Sequence, residues 1–109
     1  MHVTMVKKKL ADGSDCRKCA DVTAFLELRG LWSRIDEVVW AHEGDPSSPG
    51  MVLGARLGVA NAPFFVVRDD QGQETVYTSV MRLVQERLGQ AVTTSDQARE
   101  VDPDDVGGI

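Results

Sequence analysis

Cysteine is scarce in this chain: Cys16 and Cys19 are the only two in 109 residues. Two cysteines are too few to staple a small secreted fold. They are also too few to close a structural zinc site from cysteine alone, which takes four ligands. Thiol chemistry is therefore confined to one pair. Long apolar runs are missing as well. Nothing approaches the roughly 20 residues that span a bilayer, so no membrane partner is expected. A basic stripe of the kind that tracks a phosphate backbone is also absent, and no nucleic-acid partner is expected. "VKKK" at 6–9 is the one basic cluster, and it is expected to be a solvated strand end. The N-terminal "MHVTMVKKKL" places its lysines after its apolar residues, the reverse of a signal peptide, so the cytoplasm is the expected compartment. His2 and His42 are the only histidines. Neither has ligand spacing to the cysteines, and both are expected to be surface or strand-end residues.

The net charge of −5 is unevenly spread. From Gln90 onward stand five acids and one base, Arg99, which carry −4 of it. Residues 90–109 are polar, acidic and aperiodic, and are expected to form a disordered, solubilising tail. A docking tail for a basic partner is the alternative. Residues 1–89 are nearly neutral and long enough for one domain with a modest core.

Within them, "HVTMVKK" (2–8) reads as a strand and "LADGSD" (10–15) as a loop. Ser14 or Asp15 can cap a helix from about Cys16 that stops at Gly30. "IDEVVWAHE" (35–43) is a strand. Ser48-Pro49 opens a short helix that ends at Gly58. "FFVVRD" (64–69) and "QETVYT" (73–78) form a hairpin across "DDQG". Ser79 caps a last helix over 80–88 that Gly89 ends. The order βαβαββα predicts an α/β fold with a four-stranded mixed sheet. Its first three strands, alternating with helices, are expected to pair in parallel. Gly50, Gly54 and Gly58 share a helix face, suited to close packing on the sheet or to a helix–helix contact between copies, as a monomer or weak dimer. Trp32 and Trp40 are expected to be core or half-buried aromatics.

The cysteine pair gains meaning from its place. Cys16 falls where a loop meets a helix N-terminus, whose free N–H groups and dipole favour negative charge. The thiolate is the nucleophilic form. Cys19, one turn on, can attack a mixed disulfide formed at Cys16 and release its partner. Arg17 and Lys18 favour the thiolate, while Asp12 and Asp15 oppose it. Two further readings stay open on the residues alone. The pair could be small core residues, or half of a metal or iron–sulfur site completed by His2, His42 or a second subunit.

"CRKC" after a first strand, the helix behind it, and "NAPFFVV" leading into a hairpin resemble the thioredoxin superfamily over residues 2 to about 89. With no strand–helix unit ahead of the motif strand, the layout is closer to glutaredoxins than to full thioredoxins. The resemblance implies a thioredoxin-like fold and a thiol–disulfide oxidoreductase whose catalytic pair is Cys16 and Cys19. It implies a cis proline at Pro63, which on its own could be a strand-entry proline. It also implies substrate binding at Pro63 and at the Ala62 backbone. Electrostatic tuning falls to Asp15, Arg17 and Lys18. Departures are visible: Asp15 stands where thioredoxins carry tryptophan, and Arg17-Lys18 where glutaredoxins carry Pro-Tyr. "YTSVMR" (77–82) lacks the Gly-Gly and acidic pair that hold glutathione. This argues for a disulfide-containing protein substrate and a recycling reductase, with no separate cofactor or metal. The alternative from the same layout is a non-catalytic partner-binding or redox-sensing module.

Overall fold

The β-branched and apolar run at the N-terminus forms strand β1 (His2–Lys9). Helix α1 (Arg17–Leu28) follows, then a single 3-10 turn over Trp32–Arg34 that the sequence pattern does not announce. Next come β2 (Glu37–His42), α2 (Pro49–Leu57), β3 (Phe64–Arg68), β4 (Glu74–Tyr77) and α3 (Val80–Glu86). This computed structural model describes residues 1–90; the acidic tail expected from the sequence lies outside them, but for its first residue. The strands make one mixed sheet in the order β2-β1-β3-β4, so the described residues form an α/β fold with three helices.

The expected parallel pairing holds for β1 and β2 but not for β3, which runs antiparallel to β1 with Phe64 opposite Val6. Alternation of strands and helices leaves the direction of β3 open, and the exit from α2 decides it. Gly58 ends the helix in a left-handed conformation and the Val59 N–H donates to the Gly54 carbonyl at 2.9 Å, turning the chain back. Residues 58–63 then lead into β3 at the end of the sheet where β1 finishes. β3 and β4 form the expected hairpin. Asp69 closes its turn, accepting from the backbone N–H groups of Gln71 and Gln73 at 2.9 Å each.

Both faces of the sheet are covered, and strand alternation divides the core in two. Val3, Met5, Phe65 and Val67 pack with Leu26 of α1 and Leu83 and Val84 of α3. Val6, Phe64, Val66 and Ala41 pack on the other face with Leu53 and Leu57 of α2. The glycine face of α2 turns to the chain's own sheet. A Cβ on Gly50 would stand 2.5 Å from the Ala41 backbone nitrogen, and one on Gly54 2.7 Å from the Val59 carbonyl oxygen. Ser48 precedes α2, but its hydroxyl does not cap the helix. It accepts from the His42 N–H at 3.0 Å and donates to the Asp45 carbonyl at 2.8 Å, sealing the end of β2.

Candidate functional site: a cysteine pair at a helix N-terminus

The Leu10–Asp15 loop folds back on the strand it leaves. Asp15 forms a bridge with Lys9, and the Cys16 N–H donates to the Lys8 carbonyl at 3.0 Å. This return leaves Cys16 itself as the N-cap of α1, in extended conformation. Neither Ser14 nor Asp15 caps the helix, contrary to expectation, because both side chains are engaged elsewhere. The Ser14 hydroxyl donates to Asp12 at 2.6 Å. The Asp15 carboxylate accepts from Lys9 Nζ at 2.9 Å and pairs with Lys7 Nζ at 3.5 Å.

The consequence falls on the sulfur atoms. Cys16 Sγ accepts the backbone N–H of Cys19 at 3.2 Å, taking up one of the free donors of the helix end. Cys16 is half-buried, whereas Cys19 is fully enclosed, and both are free thiols. Cys19 Sγ accepts the N–H of Lys8 at 3.4 Å. Burial, reinforced by the neighbouring Cys16 sulfur, pushes the Cys19 thiol up to about 12, while the Lys8 N–H and the Lys7 charge pull the other way. The two thiols thus differ in kind: one at the surface facing helix donors, the other enclosed beneath it.

Among the charges expected to tune the site, Arg17 is exposed and Lys18 half-buried in the first turn of α1. Asp15 is held below the usual carboxylate range, chiefly by its hydrogen bond from Lys9. Its two lysine partners compensate the carboxylate that precedes Cys16. Asp12 is likewise held low by its bonds from Ser14. Ala62 is half-buried, Pro63 is buried, and the peptide bond between them is cis. Pro63 immediately precedes Phe64, which lies opposite Val6. The proline is therefore at the end of β1 where Lys8 meets Cys19.

Lys7 is a further residue of the site, beyond those expected from the sequence. "VKKK" is not simply a solvated strand end, since Lys7 keeps only 7% of its surface exposed. Its Nζ lies 4.9 Å from the Trp40 ring centroid and 5.9 Å from that of Trp32. Lys9 Nζ lies 4.3 Å from the same Trp40 ring. Parity carried the signal: Lys7 follows Val3 and Met5 at the strand period, and Trp40 is its partner on β2.

His2 Nε2 lies 3.2 Å from Glu37 Oε1 at the opposite end of the sheet, and His42 is exposed at the end of β2. An open cavity of about 190 Å³ near His2, Thr4, Glu37 and Arg68 is bordered by none of the cysteine-site residues. Among the described residues no group of three or more His, Cys, Asp or Glu could hold a metal ion, and no helix is long and apolar enough to cross a membrane. Compared with protein-family models, curated proteins and solved structures, the chain matches none.

Proposed function

We propose that this chain is a thioredoxin-like thiol–disulfide oxidoreductase that acts on protein disulfides. The observation that carries the proposal is the pairing of a half-buried Cys16 sulfur, bonded to a helix-start N–H, with an enclosed Cys19 one turn behind it. Cys16, as thiolate, attacks one sulfur of a substrate disulfide. The Cys16–substrate bond forms, the substrate S–S bond breaks, and one substrate thiolate leaves. Cys19, deprotonated, then attacks Cys16 Sγ. The Cys16–Cys19 disulfide forms, the second substrate thiolate leaves, and the two protein thiol protons pass to the two substrate thiolates through solvent. Two electrons move from the protein dithiol to the substrate, and a second dithiol, the recycling reductase, must return them.

The half-buried Ala62 and the buried Pro63, at the end of β1 where Lys8 meets Cys19, support a place where a substrate segment lies against the Ala62 backbone. A dithiol that reduces protein disulfides works in a reducing compartment such as the cytoplasm. The test is turnover of a small disulfide-bonded protein by the reduced chain. Cys16→Ser should lose at least about a hundredfold in rate. Cys19→Ser should accumulate a mixed disulfide visible as a mass adduct. Turnover that survives Cys16→Ser would sink the mechanism.

A further inference from the structure

The steps above leave one buried charge without a task. Lys8 and Lys9 keep about a third of their side chains exposed, whereas Lys7 keeps 9%. Burying an ammonium is costly unless charge and hydrogen bonds compensate it. The nearest compensation is Asp15, which Lys9 engages more closely, at 2.9 Å against 3.5 Å for Lys7. The rings of Trp32 and Trp40 also stand beside it, their centroids 5.9 and 4.9 Å from Nζ. Strand parity puts Lys7 on the same sheet face as Val3 and Met5, the face packed against α1. Helix α1 brings Cys19 to that level, and the N–H of the next residue, Lys8, donates to the Cys19 sulfur.

We propose that Lys7 is a positioning residue for Cys19: its enclosed ammonium stabilises the thiolate that Cys19 must become to resolve the mixed disulfide, while the two tryptophans hold it in place and Asp15 offsets part of its charge. The inference rests on the redox function proposed above. Its field already favours the ionised form of Cys19 in the resting dithiol. In the resolving step Cys19 gives its proton to a solvent or buffer base, bonds to Cys16 Sγ, and expels the partner thiolate. Lys7 keeps its own protons throughout and exchanges no bond.

The two steps separate in one experiment. The reduced full chain is mixed with one equivalent of dithiobis-nitrobenzoate, and the coloured thiolate is followed over time. The first release reports attack by Cys16, and the second reports resolution by Cys19. Loss of a neighbouring cation lowers the thiolate fraction, and the greater nucleophilicity of a more basic thiolate offsets part of that. Lys7→Met should therefore slow the second release about three- to tenfold and change the first by less than about twofold. Lys7→Arg should restore the second release. Asp15→Asn, at a position one-third exposed, should accelerate the second release by freeing the ammonium, and serves as the deciding variant if Lys7→Met does not fold. An unchanged second release in Lys7→Met, equal slowing in Lys7→Met and Lys7→Arg, or no acceleration in Asp15→Asn overturns the role of Lys7. Absence of a first release from the native chain overturns the redox function itself.

Discussion

Cys19 is held protonated by its surroundings, and that has a consequence for stability. In an unfolded chain its thiol would ionise near its ordinary 9.0; in the fold it is pushed up to about 12. Between those values the unfolded chain has released this proton and the folded chain has not. The folded state then binds more protons, so stability falls as pH rises. The stabilising contribution is complete below about pH 9 and is lost as pH climbs toward about 12. Urea unfolding of the reduced protein across that window should show the decline, and Cys19→Ser should show a shallower one. Equal slopes would mean that the enclosure of Cys19 does not govern its ionisation. The spacing of the two cysteines was plain in the sequence, but their unlike environments were not. Cys19 is enclosed where α1 lies against β1, and its sulfur accepts the Lys8 N–H, a contact between residues 11 apart in the chain.

At the scale of elements, the seven main segments follow from local signals. Pro49 starts α2, Gly58 ends it in a left-handed conformation at φ 72°, and Asp69 closes the hairpin turn through two backbone N–H groups. Contacts between segments that meet only in space did not show. The Gly50 position is an example. Its spacing with Gly54 suited either the sheet or a second copy of the chain, and the fold places it against the backbone of Trp40 and Ala41. Because those neighbours are backbone atoms rather than flexible side-chain ends, Gly50→Ala should push α2 off β2 and cost about 1–3 kcal/mol. Chemical denaturation checks this, and a variant as stable as the native chain would show that α2 yields freely. The caps carry the same lesson. Ser14 and Asp15 have the chemistry of N-caps, yet Asp12, Lys7 and Lys9 claim their side chains and leave the cap to Cys16.

For the whole molecule, the sheet is the wall that two small cores share. Phe65 is wholly enclosed in the larger one, while its neighbour Phe64 serves the other. Removing Phe65 strips the centre of that packing, and Phe65→Ala should cost about 3–5 kcal/mol. That is a large part of the total for a domain of this size. A thermal melt that retains its native midpoint would contradict this. By itself the sequence determined the order of strands and helices, the turns between them and the place of the cysteines at a helix start, because those depend on neighbours along the chain. The tertiary structure decided the direction of β3, the enclosure of Cys19, the pairing of Asp15 and the burial of Lys7. Each depends on which distant segment arrives beside it: the chain turns back after α2 and enters β3 beside the end of β1, and a lysine in a polar run is buried only when a helix and two tryptophans close over its face of the strand.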